Sequence, residues 1–156
     1  MEQDWGPVIY SYSRSQAIAD GELVDISQFP NSHGQPIVQE AGFKYHMAMT
    51  RAAWAETIEA GGHWEPWPDG YKPSDGGTGS QLVLPSGQSI SGRLWDVLWM
   101  LRCAIGRMPR NEDRTTFTVM VDTKGDGCHN TVRLWCLVGP GDTPEPVMTI
   151  MLQGED

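Results

Sequence analysis

Two pairs of neighbouring side chains in this sequence are of types that could perform acid–base or nucleophilic chemistry. His63 and Glu65 could form an acid/base pair in a loop. Cys128 and His129 could supply a nucleophile and a base, although adjacent side chains point in different directions. The sequence contains no Gly-rich phosphate loop with lysine, no paired-histidine zinc helix and no nucleophile elbow. We therefore predict a protein without catalytic residues, and an enzyme of unrecognised type that uses these four residues is the least favoured hypothesis.

A metal site is not predicted either. The segment from Asp122 to Gly127 has some features of a calcium loop, but Lys124 and Arg133 stand where oxygen ligands belong. A hairpin turn explains these residues fully. Cys128, His129 and Cys136 are too few and wrongly spaced for structural zinc. We expect no metal and no cofactor.

Three aromatic residues, Trp64, Trp67 and Tyr71, lie in a segment rich in proline and glycine. Rigid aromatic side chains lose little entropy when they bind, so they could form an exposed binding surface. The same side chains could instead fold back and cover the core. The sequence leaves both alternatives open.

Two groups of residues could bind an anion. Tyr10 and Tyr12 share one face of a predicted first strand, and Arg14 follows at the start of a helix, where free amides attract negative charge. The second group is Arg102, Arg107 and Arg110, at or just beyond the end of the longest predicted helix. These arginines either complement the negative end of that helix or form a site for a phosphate or carboxylate.

The helix that positions these arginines is the clearest in the sequence. Residues 92–107 are apolar on nearly all sides, which predicts a central and largely buried helix. Ser91 is expected to cap it, and Trp95 and Trp99, one turn apart, are expected to lie in the core. Cys103 falls in the same apolar pattern and is expected to be buried.

The predicted fold class is α+β. Residues 116–122, 131–138 and 147–152 alternate as strands separated by glycine-rich turns. They predict a three-stranded or larger antiparallel sheet that packs against the central helix. The N-terminal part adds a short strand at residues 8–12 and short helices at residues 14–20 and 51–60, which Ser13 and Thr50 cap.

The length predicts a single domain over residues 1–156, in which residues 61–91 form an irregular insertion rich in glycine, proline and tryptophan. The chain has 20 acidic and 11 basic residues and a net charge of −9. This acidity makes direct binding to nucleic acid unfavourable. No apolar run is long enough to cross a membrane. Three cysteines without a close pair favour a reducing, cytoplasmic setting.

The charge is distributed unevenly. Residues 1–92 have 4 basic and 11 acidic residues, residues 93–133 have 7 basic and 5 acidic residues, and residues 134–156 have 4 acidic and no basic residues. The acidic parts are compatible with a protein that mimics DNA, although the acids are scattered. The arginine-rich middle part keeps an anion site possible.

Three segments carry a resemblance to a known family: IYSYSRSQAIADG at residues 9–21, GRLWDVLWM at residues 92–100, and LVGPGD at residues 137–142 with the strand that follows. The chain resembles a family of small uncharacterised proteins, a domain of unknown function encoded on bacterial plasmids, integrative elements and phages. The resemblance implies no known activity and no catalytic residues. It implies an accessory role in host defence, replication or conjugation.

These observations lead to a first hypothesis of a non-enzymatic accessory protein of a mobile element. It would bind a host or element-encoded protein in the bacterial cytoplasm, with a defence component as a candidate target. The alternative is a protein that binds or sequesters a small nucleotide-like anion. The sequence makes no prediction of the oligomeric state.

Overall fold

A computed structural model of the chain describes residues 13–71, 79–85, 87–108 and 112–155. The predicted first strand, with Tyr10 and Tyr12, lies outside these described residues, and so does Arg110. No helix in these described ranges is long and apolar enough to cross a membrane.

The predicted α+β class is confirmed. The described strands are β1 (Leu23–Asp25), β2 (His46–Thr50), β3 (His63–Pro66), β4 (Ser80–Val83), β5 (Arg114–Val121), β6 (Asn130–Pro140) and β7 (Pro146–Leu152). Five of them form one sheet in the order β1-β2-β7-β6-β5, and β3 pairs with β4. Neighbours in the five-stranded sheet are antiparallel except for β2 and β7, which are parallel.

Four helices are described: α1 (Arg14–Ala19), α2 (Ile37–Glu40), α3 (Arg51–Thr57) and α4 (Ile90–Ile105). The predicted caps of α1 and α3 are confirmed. The Ser13 hydroxyl accepts the Gln16 amide at 3.0 Å within a capping box, and the Thr50 hydroxyl accepts the Ala53 amide at 3.2 Å. Each cap satisfies an amide that has no partner inside its helix.

The predicted cap of α4 is wrong by two residues. Ser89, with an extended backbone, accepts the Gly92 amide at 3.0 Å, so α4 begins at Ile90 and Ser91 lies within its first turn. Ile90 packs against the core, which explains why the helix begins before the strongly apolar run at Leu94. The helix ends at Ile105 and is followed by Gly106.

The core lies between one face of the sheet and the helices α3 and α4. Along β5, Thr115, Phe117, Val119 and Val121 are buried and the alternate residues are exposed. Phe117 opposes Leu134 on β6, and both belong to the buried cluster that includes Leu98 of α4. The predicted meander of β5, β6 and β7 thus forms the wall on which α4 packs.

The strand β2 and the β3–β4 hairpin were not predicted. β2 is a central strand whose Met47, Ala48 and Met49 are completely buried between β1 and β7. Methionine and alanine favour helices, so only the pairing on both sides makes this segment a strand. The second is the β3–β4 hairpin, which gives regular structure to part of residues 61–91, where an irregular insertion was predicted.

Candidate functional site

The strongest candidate for a binding surface lies on α4. The rings of Trp95 and Trp99 stack with centroids 5.8 Å apart and planes at 19°. The Arg102 guanidinium lies 5.8 Å from the Trp99 ring, and its Nη1 donates to the carbonyl oxygen of Ala41 at 2.7 Å. We call Trp95, Trp99 and Arg102 the tryptophan patch.

The prediction that both tryptophans lie in the core is wrong for Trp99, which is 46% exposed. The inward positions of α4 are filled by Leu94, Val97, Leu98 and Leu101, all of which are buried. Because the sheet covers only one side of α4, the expected burial on all sides does not occur. Trp95 is partly buried against the core and joins the exposed Trp99 ring to it.

The cysteines agree only in part with the sequence prediction. Cys136 on β6 is buried, and its burial raises the pKa of the thiol to about 12. Cys128 is exposed. Cys103 is also exposed, contrary to the prediction, because it lies on the solvent side of α4.

A second candidate site is a groove of about 780 Å³ between α1, the start of β2 and the turn between β6 and β7. Arg14 anchors one side of it. Its Nη1 donates to the Thr149 hydroxyl at 2.6 Å and its Nη2 to the Met148 carbonyl at 2.8 Å. Burial lowers the pKa of Arg14, while Asp25 and Asp142 act in the opposite direction.

The sequence predicts that the amides at the start of α1 could bind an external anion, but in the structure these amides already donate hydrogen bonds within the chain. The Asp142 carboxylate accepts the Arg14 amide at 2.8 Å and the Ser15 amide at 2.9 Å. A side chain of the β6–β7 turn therefore supplies the negative charge that this helix end favours. An external ligand would have to use the side chains of the groove.

The other side of the groove is formed by residues that the sequence analysis missed: Lys44, Tyr45 and His46. His46 Nε2 lies 3.2 Å from the Asp25 carboxylate, and Tyr45 is about half exposed. These residues reach Arg14 only through the pairing of β2 with β7, which joins distant parts of the chain. No local pattern in the sequence indicates that pairing.

The aromatic residues of the hairpin region do not cover the core. Trp64 is 58% exposed on β3, and Tyr71 is also exposed. The Trp67 and Tyr71 rings lie 4.6 Å apart in the segment after β3. The structure therefore agrees with the exposed alternative for Trp64 and Tyr71.

The two arginines of α4's C-terminal region that the structure describes have separate environments. Arg102 belongs to the tryptophan patch and donates a hydrogen bond to the Ala41 carbonyl. Arg107 is exposed and lines a cleft with Arg114 and Thr115 at the start of β5. The structure does not show them joined around one anion position.

The residues with catalytic potential are on the surface. His63 Nε2 and Glu65 Oε1 are 2.8 Å apart on β3, and both side chains are more than half exposed. Cys128 and His129 are exposed in the β5–β6 turn. Neither pair has the desolvated surroundings that usually tune a catalytic group.

The turn between β5 and β6 has the structure of a hairpin. The Asp122 carboxylate accepts the amides of Lys124, Gly125 and Gly127, at 3.1, 2.6 and 2.9 Å. These amides lower the pKa of Asp122. Across the residues that the structure describes, no group of three His, Cys, Asp or Glu residues could hold a metal ion.

The described residues thus define an α+β protein with a mixed five-stranded sheet, an exposed tryptophan patch on its longest helix and a groove on the other side of the sheet. The model of the family of unknown function DUF6573 matches residues 4–156, so the chain belongs to that family. This confirms that the chain is a domain of unknown function. No curated protein and no solved structure matches the chain.

Proposed function

We propose that this protein is a non-enzymatic accessory protein of a mobile genetic element, and that it acts by binding a protein target through the tryptophan patch. The carrying observation is that Trp99 is exposed although two neighbouring side chains lie against its ring. Trp95 stacks on the Trp99 ring, and the guanidinium of Arg102, which donates to the Ala41 carbonyl, lies 5.8 Å from the ring centroid.

A held aromatic side chain is suited to binding because little entropy is lost when a partner covers it. Tryptophan and arginine are also the residues most enriched among those that dominate interface energies. Trp99 and Arg102 bring both types together within one helical turn. The tryptophan patch would form the centre of an interface, and polar neighbours that stay accessible to solvent would form its rim.

The genetic setting implied by the sequence motifs gives the class of target. Proteins encoded on plasmids, integrative elements and phages act on host defence, replication or conjugation. We therefore propose a host or element-encoded protein as the target, with a defence component first among the candidates and the bacterial cytoplasm as the location.

The test is affinity capture from a lysate of the bacterial host with three baits: the wild type, Trp99→Ala and Trp64→Ala. Trp64 is the matched control because it is an exposed tryptophan on a different element. The proposal expects a protein that the wild type and Trp64→Ala recover and Trp99→Ala does not. Equal recovery by all three baits, or no specific protein with the wild type, would refute it.

The groove supports a second function, the binding of a small nucleotide-like anion. Its volume is within the range of about 300–1,000 Å³ that is usual for ligand sites. Lys44 and Arg14 supply positive charge beside the carboxylates of Asp25, Asp142 and Glu145, and Tyr45 supplies an aromatic surface. Arg14 Nε is also buried and has no hydrogen-bond partner among the described residues.

A thermal-shift screen against nucleotides and cyclic nucleotides tests this second function. A ligand of the groove should stabilise the wild type and the exposed control Lys124→Ala, but stabilise Lys44→Ala less. If no compound raises the unfolding temperature, or if Lys44→Ala responds like the control, the groove does not bind this class of ligand.

A further inference from the structure

The outer edge of the sheet is formed by β5, and the described residues pair it on one side only. Its partner is β6, and no other described strand is hydrogen-bonded to it. An edge strand presents unpaired amides and carbonyls that can pair with another chain.

The register shows which backbone groups of β5 point outward. The Val138 amide donates to the Asp113 carbonyl at 2.9 Å, so these two residues form a hydrogen-bonded pair at the start of the ladder. Hydrogen-bonded and non-hydrogen-bonded pairs alternate along an antiparallel ladder. Thr116, Thr118 and Met120 therefore direct their amides and carbonyls away from β6.

This edge lacks the usual features that protect edge strands. Residues 115–121 contain no charge and no proline, and the strand is regular over its eight residues. The side chains of Thr116 and Thr118 are exposed, and Met120 is 69% exposed. Among the described residues, no second strand pairs with the outward backbone groups of β5, so a further strand could pair with them.

The two ends of the β5 edge carry side chains of opposite charge. Arg107 and Arg114 line a cleft beside the start of β5, which Glu112 also lines. Asp96 and Asp122 line a cleft beside its end. Arg93 lines that second cleft, but its N–H groups are directed at the Gln88 side chain and at main-chain carbonyls.

We propose that two copies of this protein pair through the β5 edge about a two-fold axis at Thr118, forming one continuous ten-stranded sheet. In this register Thr118 meets Thr118 of the second copy and Thr116 meets Met120. Arg114 meets Asp122 at each end, so the basic end of one copy faces the acidic end of the other. Because this axis is perpendicular to the sheet, the two α4 helices lie on the same face of the ten-stranded sheet.

A second copy fits this edge better than an arbitrary strand because the charge pattern is complementary to itself under the two-fold rotation. An isologous interface requires that property. The tryptophan patch lies on a different side of α4, where Arg102 contacts α2, so it remains available in the dimer. The inference therefore adds to the proposed function and does not depend on it.

The experiment measures the mass in solution of the wild type and of Thr118→Lys, Thr118→Glu and Thr131→Lys by sedimentation velocity and native mass spectrometry. The protein concentration should be about 100 µM, above the dissociation constants of weak interfaces. Thr131 is the control because it is exposed on β6, which is not an edge strand. Far-UV circular dichroism checks that each variant folds.

The proposal expects a doubled mass for the wild type and for Thr131→Lys. Each Thr118 variant alone should be monomeric, because two like charges meet at the axis. An equimolar mixture of Thr118→Lys and Thr118→Glu should form a heterodimer. A monomeric wild type, a dimeric Thr118→Lys, or a mixture that stays monomeric would each overturn the proposal.

Discussion

Arg93 and Asp122 are joined by a hydrogen bond of 2.9 Å from the guanidinium Nη2 to the main-chain carbonyl of Asp122. The same guanidinium donates to the carbonyls of Ile58 and Ala60, at 3.0 and 2.6 Å, and to the Gln88 side chain at 2.8 Å. One buried side chain thus connects α4 to the end of α3 and to the end of β5. Burial lowers the pKa of Arg93, and the nearby Asp122 charge partly offsets this effect.

The first prediction concerns this connection. Arg93→Met should lower the free energy of unfolding by about 3 kcal/mol, because buried carbonyls lose charged donors that the methionine cannot replace. The control is Arg133→Met, at an exposed position on β6, which should change stability by less than about 0.5 kcal/mol. Urea unfolding monitored by circular dichroism measures both. Equal effects of the two substitutions would show that Arg93 does not hold these elements together.

The second prediction distinguishes the two serines at the start of α4. Ser89→Ala should cost about 1 kcal/mol of unfolding free energy, because the Gly92 amide loses its cap. Ser91→Ala should cost less, since Ser91 lies inside the helix. The same urea titration compares them, and a larger loss for Ser91→Ala would contradict the structure.

The third prediction concerns the acid dependence contributed by Asp122. Its pKa is lower in the folded chain than in the unfolded chain, so its contribution to stability is present above the unfolded pKa of about 3.9. That contribution is lost as the pH falls through the folded pKa. Asp122→Asn should therefore unfold at a lower temperature than the wild type at pH 7, and the difference should shrink below about pH 4. A difference that is constant with pH would mean that the carboxylate charge does not stabilise the turn.

The fourth prediction concerns thiol reactivity. Cys103 and Cys128 are exposed, whereas Cys136 is buried with its pKa raised to about 12. A disulfide reagent at neutral pH should therefore titrate two thiols quickly and the third only after denaturation, because the thiolate is the reactive form. Cys103→Ser should leave one fast thiol. If the wild type has only one fast thiol, Cys103 is buried as the sequence alone indicated.

Several local features of the chain were predictable from its sequence, whereas the pairing of β2 with its two neighbouring strands was not. The caps at Ser13 and Thr50 and the strands of the meander depend on neighbouring residues, so the pattern of those residues was enough. The strand β2 depends on pairing with β1 and β7, and its methionines do not indicate a strand. The same pairing brings Lys44 and His46 to the groove beside Arg14.

The position of Trp99 shows a second reason why the sequence did not predict the candidate site. An apolar helix indicates burial, but it does not show how many of its sides the rest of the chain covers. Only one side of α4 is covered by the sheet, so Leu98 is completely buried and its neighbour Trp99 is exposed. This exposure carries the proposed function, and the sequence pattern alone placed Trp99 in the core.

The most direct test of the central claim is the dissociation constant of the target, once capture has recovered it, measured by isothermal titration with the wild type, Trp99→Ala and Trp64→Ala. A residue at the centre of an interface contributes about 2 kcal/mol or more, which is a factor of about 30 in affinity. We expect a dissociation constant raised by about 30-fold or more for Trp99→Ala and within about twofold of the wild type for Trp64→Ala. A dissociation constant for Trp99→Ala equal to that of the wild type would contradict it.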